Sequence, residues 1–480
     1  MLSSFWKKCC NILFPVERGE IKNFLPIFIL YFCLSFIYNG LRPLKITLVT
    51  SASHSGAEII PFLKVWGIMP AAFLFTYLFT RMSRRLNRVQ IFYSMLTIFL
   101  GYYFVFTVYL FPNTDFFTLE KVASWLKSIL PDGYRGFISM IKYWHVSLFY
   151  IFCEVWSSVI MFMIFWGFVN EITPMEKAVR FYPLYNLGGN LASTCAGFML
   201  MQASDLELLL LSDTNANSVA RFALLIVGIT LILGTIAAFL FRYADRAHSQ
   251  IPALNEKSKN NKEKSEKGIS FTLAESLTQV CKSRYMMYLL ILVVAYNLVF
   301  NLTDVLWSQQ VKDYFGSRQI KMTAFIGKVT MYKGILSSGL VFAAHIIIKK
   351  WGWKVTTLVT PTIIAMSSIL FFPLVYFQNS PIFQGMVAEL FTGGILWATV
   401  VVGGLQNSLA RGTKYSLYDT TREMAYIPLT TDMKRKGKAV IDGIASRIGK
   451  SSGSIFYMMI LPFFGSLRGT VPVVGFLSVF

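Results

Sequence analysis

Apolar residues in this sequence gather into runs of about 20, the length a helix needs to cross about 30 Å of hydrocarbon. The runs lie near residues 24–41, 62–80, 91–112, 146–169, 183–202 and 220–241, then near 286–307, 325–348, 355–377, 384–406, 451–466 and 470–480. Composition agrees with them. Hydrophobic residues make up 55% of the chain and charged residues only 14%, against about a quarter charged in a soluble domain. Lipid offers no hydrogen-bond partners, so each run must close its backbone bonds internally, as a helix. The expected fold class is an all-α polytopic membrane protein with about 12 transmembrane helices. The run at 470–480 is too short to cross, so the last helix reads as incomplete. The N-terminus does not read as a cleaved signal peptide, because it lacks a short apolar core with a small-residue cleavage site.

Charge sorts to one side of these runs. Lys and Arg total 45 against 24 acids, a net charge of +21. Arg81, Arg84, Arg85 and Arg88 follow the second run, and Arg242, Arg246, Lys257, Lys259, Lys262, Lys264 and Lys267 follow the sixth. Lys349, Lys350 and Lys354 follow the eighth, whereas Asp205, Glu207 and Asp213 follow the fifth. The positive-inside rule then places both termini in the cytoplasm. Cations placed this way set topology and attract anionic lipid. The bilayer is the expected partner, and nucleic acid is not.

Cys33, Cys153 and Cys195 lie within runs, while Cys9, Cys10 and Cys281 lie on the cytoplasmic side. That distribution points to reduced thiols rather than a disulfide framework. His54, His145, His248 and His345 have no ligand spacing, so no metal or cofactor is expected. Neither GxxxxGKS/T nor GxSxG occurs, and no convergent acid–base pair stands out. An enzyme reading therefore has no motif behind it.

The stretch RAHSQIPALNEKSKNNKEKSEKGIS at 246–270 is polar and rich in Lys, Glu, Asn and Ser, the composition of a flexible linker. It divides the chain into an N-terminal six-helix half (1–245), a basic cytoplasmic linker (246–285) and a C-terminal half (286–480). The halves share a register. LKVWGI at 63–68 resembles GKVTMY at 327–332, which sets Lys64 over Lys328 at an offset of 264. KAV at 177–179 recurs at 438–440, an offset of 261 that also sets Gly188 over Gly449. Glu154 falls over Glu389 if the second half carries an insertion of about 26 residues. Two parallel six-helix repeats are the pattern of major-facilitator transporters, whose substrate site lies at the midplane between halves.

Charges inside the runs are costly and by default mark function. Arg42 and Lys45 end the first run, with Pro43 interrupting the helix between them. Either they line a polar cavity, or they snorkel to the headgroups. Lys64 opens the second run and carries the same two readings. Glu154 sits in an otherwise neutral run, where an unpaired carboxylate would be expensive. It is either the partner of a buried cation or a group that handles substrate or protons. Asp304 closes the seventh run at a position like that of Lys45, and could equally mark a helix end. Lys438, Arg447 and Lys450 gather near the eleventh run among Gly437, Gly443, Gly449 and Gly453. Cations converging between two halves call for a polyanionic ligand, since lysine binds phosphate oxygens as a point charge and arginine forks onto them.

Six stretches carry a family resemblance: LRPLKITLV (41–49), GAEIIPFLKVW (56–66), CEVWSSVIMFMIFWGFVNEIT (153–173), RFYPLYNLGGNLA (180–192), NLTDVLWSQQVK (301–312) and KYSLYDTTREMAYIPLTTDMKRKGKAVID (414–442). They resemble the nucleotide transporters, the ATP/ADP translocases, of obligate intracellular bacteria and plastids. The resemblance implies a twelve-span, major-facilitator-like carrier that imports ATP in exchange for ADP. Some relatives instead take up several nucleoside triphosphates with protons. It also implies a protein functional as a monomer in a bacterial inner membrane, with a plastid inner envelope as the alternative. The family's functional lysine after span 1, glutamate in span 4, acid in span 7 and lysine before span 11 fall on Lys45, Glu154, Asp304 and Lys438. Arg42, Lys64, Lys328 and Arg447 complete the expected phosphate-binding set. Ile46 departs from the Asp usual there, and Asp304-Val305-Leu306-Trp307-Ser308 replaces a usual Glu-Val-Thr-Trp-Lys.

Overall fold

The computed structural model describes residues 16–17, 19–52, 56–202, 217–249, 278, 280–426, 429–430, 433, 437, 440–441 and 446–479. Among them there is no strand. The first half comprises α1 (Ile21–Ala52), α2 (Gly56–Ser83), α3 (Arg88–Leu110), α4 (Glu120–Ile129), α5 (Arg135–Lys142), α6 (Trp144–Ile172), α7 (Met175–Met201) and α8 (Asn217–Ser249). The second half comprises α9 (Arg284–Phe315), α10 (319–351), α11 (353–376), α12 (Pro381–Leu390), α13 (Gly394–Ala425), α14 (Ser446–Phe464) and α15 (Val471–Val479). Helices α10 and α11 run continuously except at Gly352, whose φ of 76° only glycine adopts without strain.

Each expected apolar run overlaps described helix, and the run at 384–406 is divided between α12 and α13. By length and composition, seven helices among the described residues can cross a membrane, or eight if Pro381–Glu389 and Gly394–Ala425, bent by 68°, form one span. Two helix ends differ from expectation in a way that matters for function. The first helix does not stop near residue 41 but runs to Ala52, carrying Arg42 and Lys45 with it. The tenth apolar run does not stop at 406 but continues as helix to Ala425. Amphipathic α4 and α5 fill the connection before α6. Most of the expected linker lies outside the described residues.

Helix α1 lies at the centre of the first half, against α6, α7 and α8, and α9 packs on α13 and α14 in the second. Polar aromatics fasten both: the Trp156 indole donates to the Leu34 carbonyl at 3.2 Å, and the Trp307 indole to the Val400 carbonyl at 3.1 Å. Small residues let the helices close up, as membrane bundles require. A side chain at Gly188 would meet Phe28 of α1 at 2.9 Å. One at Gly449 would meet Asn297 and Val294 of α9 at 2.9 and 3.1 Å. The fifth apolar helix thus approaches the first as the eleventh approaches the seventh.

Among the described residues, two of the seams between the halves are closely packed. On one, α7 crosses α10: the Ser193 hydroxyl donates to the Thr330 carbonyl at 3.2 Å, and a Cβ on Gly197 would lie 2.4 Å from the Met331 nitrogen. On the other, the start of α2 meets α9 and the end of α14. Ala57 N–H donates to Gln309 Oε1 at 2.7 Å, and Leu467 N–H to Glu58 Oε1 at 3.3 Å. The first seam has no room for a side chain at Gly197. Gly197→Leu is expected to destabilise the fold by about 1–3 kcal/mol through overpacking. Gly228→Leu, where a Cβ meets open space, serves as the control. Equal melting temperatures for the two variants in detergent would show that the α7–α10 crossing is not closely packed.

Candidate functional site

The geometry of α1 explains the two cations that flank Pro43. Pro43 removes one helical donor, but α1 packs against α6, α7 and α8 and stays helical through it. Both cations are therefore carried into protein. Lys45 is fully buried. Its Nζ lies 2.5 Å from Glu154 Oε1 of α6 and 4.7 Å from the centre of the Tyr150 ring. Snorkelling to headgroups does not describe it.

Arg42 reaches the other half. Its Nη2 lies 3.8 Å from Asp304 Oδ1 on α9. The same carboxylate oxygen accepts from Arg411 Nη2 at 3.2 Å and from Asn407 Nδ2 at 2.8 Å, both on α13. The Arg411 guanidinium also stacks 4.4 Å from the Phe300 ring centre. Lys64 lies in the π-helical stretch Leu63–Ile68 of α2, a widened turn of a kind frequent at functional sites. Its Nζ donates to Asn301 Oδ1 of α9 at 2.5 Å, and Asn301 Nδ2 donates to Ser454 Oγ of α14 at 3.0 Å. Lys333 of α10 donates to Asn39 Oδ1 of α1 at 3.0 Å.

These groups form one electrostatic cluster. Lys64 interacts with Asp304, Glu154, Lys45 and Arg411, and Lys333 interacts with Arg42 and Arg411. Among the described residues the cluster holds Arg42, Lys45, Lys64, Lys333 and Arg411 against Glu154 and Asp304, five cations to two carboxylates. Burying charges is repaid only by good pairing. This site is left with an excess of positive charge that its own acids do not cancel. Glu154 keeps 26% of its side chain accessible and Asp304 16%, so the cluster is not sealed from solvent.

Of the residues expected from sequence, Arg42, Lys45, Lys64, Glu154 and Asp304 come together. Lys328 does not: it is exposed on α10, and the buried lysine of that helix is Lys333. Glu389 is likewise exposed, near the end of α12. Lys438 lies outside the described residues, as does the side chain of Arg447, whose backbone belongs to α14. Sequence reasoning missed Arg411, Lys333 and the amides of Asn39, Asn301 and Asn407. Lys333 was the more central cation of its apolar run. Arg411 lies beyond residue 406, where the tenth apolar run ends.

A family model, described as the TLC ATP/ADP transporter, matches residues 2–480. The chain belongs to that family. It is 37% identical over 482 residues to ADP,ATP carrier protein 2 of Chlamydia pneumoniae, covering 96% of this chain and 86% of that protein. It is 35% identical to the chloroplastic ADP,ATP carrier protein 1 of Arabidopsis thaliana, covering 96% of this chain and 72% of that one. Among solved structures, a bacterial homologue of the iron transporter ferroportin in an inward-facing state matches with a TM-score of 0.59 at 10% identity, over 97% of this chain and 96% of that one. The nucleoside transporter NupG matches with a TM-score of 0.56 at 13% identity, over 95% and 97%. At such identities these two structures speak for the fold alone. That fold is the major-facilitator-like one, and this member of the TLC family shares it.

Proposed function

We propose that this chain carries nucleotides across a membrane, ATP in exchange for ADP, by alternating access between its two halves. The observation that carries the reading is the excess of cations where α1, α2 and α6 face α9, α10 and α13. A polyphosphate supplies the negative charge this site lacks. Lysines take its oxygens as point charges, and Arg42 and Arg411 can fork onto them. The Tyr38 ring, 6.0 Å from Lys45 Nζ, and the exposed Tyr415 are the aromatic residues on which a base would stack.

No bond is made or broken. Arg42–Asp304, Lys64–Asn301 and Lys333–Asn39 each join one half to the other. A phosphate chain that takes over these cations loosens one set of ties between halves and supplies another. The membrane is a bacterial inner membrane, both termini face the cytoplasm, and the monomer is the working unit. The family resemblance adds Lys438 to the phosphate site, with Arg447 beside it in sequence. The second reading is proton-coupled uptake of nucleoside triphosphates. Its support is that Glu154 and Asp304 are carboxylates with access to solvent.

Liposomes holding the purified protein decide between these readings. Labelled ATP is expected to accumulate when ADP is inside, and a proton gradient without internal nucleotide is expected to drive none. Uptake driven by the gradient alone would favour the symporter. Competition by adenosine as strong as that by ATP would remove the polyanion argument altogether.

A further inference from the structure

Lys333 differs from the other cations of the cluster. Lys45 has Glu154, and Arg42 and Arg411 share Asp304. Lys64 interacts with both carboxylates. Lys333 is 92% buried, since only 8% of it is accessible. Its bond goes to a neutral amide, Asn39 Oδ1. The charges it interacts with are two further cations, Arg42 and Arg411. Among the described residues no carboxylate pairs with it. A buried lysine so placed is unfavourable unless something else neutralises it.

We propose that Lys333 is a phosphate-binding residue, contributed by the second half, whose charge is compensated by the substrate rather than by the protein. The proposal rests on the nucleotide reading above. Geometry supports it beyond the missing acid. Lys333 stands on α10, one helix of the seam with α7, and reaches across to α1, three residues before Arg42. Keeping Asn39 neutral then has a purpose. An aspartate there would satisfy Lys333 internally and compete with the substrate.

The purified full-length protein tests this by equilibrium binding of ATP and ADP, with adenosine as the uncharged competitor. Lys333→Gln keeps a hydrogen bond to Asn39 but removes the charge, and is expected to weaken both nucleotides about 10–100-fold while leaving adenosine competition unchanged. Lys333→Arg is expected to restore most of the affinity. Asn39→Asp leaves Lys333 in place, and is expected to raise the melting temperature without nucleotide and to lower ADP affinity. If the wild type binds ADP and Lys333→Gln binds it equally well, the proposal fails while the nucleotide reading stands. If the wild type binds no nucleotide, both fail. Should Lys333→Gln not fold, Asn39→Asp decides alone, and unchanged ADP affinity in that variant overturns the proposal.

Discussion

Lys45→Ala is expected to abolish nucleotide transport, with Lys349→Ala, on an exposed stretch of α10, transporting like the wild type at equal expression. Two effects add. A buried ion pair that loses one member leaves the other charge uncompensated, which costs about 3–5 kcal/mol. Here the carboxylate left behind is Glu154, 2.5 Å from Lys45 Nζ, but 26% of its side chain is accessible and Arg42 and Lys64 also act on it, so the cost lies at or below the lower end. The substrate also loses a charge-assisted hydrogen bond, about 1.5–3 kcal/mol. The double variant Lys45→Ala/Glu154→Gln separates them. It removes the orphan carboxylate, so its melting temperature is expected to recover towards the wild type. Its transport is not, because the phosphate has still lost its lysine. Uptake restored in the double variant would mean that Lys45 serves only to hold the fold. Uptake by Lys45→Ala equal to that of Lys349→Ala would remove it from the site entirely.

The same residue shows what a sequence can disclose about such a protein. Lys45 and Glu154 were legible because each is a charge in an apolar context, and hydrocarbon tolerates few of those without function. Asp304 was legible for the same reason. Their pairing was not, since α1 and α6 contribute residues more than 100 positions apart, and no local pattern encodes which helices face each other. Pro43 misled in the usual direction. Proline predicts an interruption from the single helix, whereas contacts from α6, α7 and α8 carry α1 through it. Arg411 was lost for a related reason. Hydropathy ends the tenth run where polar residues begin, yet those residues, Gln406, Asn407 and Arg411, are buried against other helices rather than dissolved in a loop. A helix facing a polar cavity looks like a helix that has ended. Internal symmetry helped with packing and hindered with chemistry. The register that aligned Gly188 with Gly449 identified two comparable helix crossings. The register that aligned Lys64 with Lys328 chose an exposed lysine over the buried Lys333. Backbone proximity is shared by both halves, but side-chain roles need not be.

Glu154→Gln is expected to impair ATP/ADP exchange at every pH tested, and the reason lies in what an empty site costs. Alternating access requires the cluster to close towards one side before it opens to the other. Closing it strips the remaining water from a cluster of five cations and two carboxylates among the described residues, and unpaired charge makes that step unfavourable. A bound polyphosphate supplies the missing negative charge, so a loaded site closes readily and an empty one does not. That asymmetry is what turns a carrier into an exchanger. Glu154 limits the imbalance by pairing with Lys45. Replacing it with a neutral amide frees Lys45 and raises the excess, which hinders return of the carrier whatever the external pH. A symporter requires a different role for the same carboxylate. It must take up a proton with the substrate and release it on the other side, and a glutamine mimics the protonated form permanently. Glu154→Gln would then abolish gradient-driven accumulation yet spare counterflow of labelled against unlabelled nucleotide. Asp304→Asn applies the same test to the second half, where the loss would release Arg42 and Arg411 together. Counterflow retained in Glu154→Gln, alongside proton-driven uptake present in the wild type and lost in the variant, would replace the exchanger with the symporter. Counterflow lost at every pH is what an acid engaged in holding Lys45 should give.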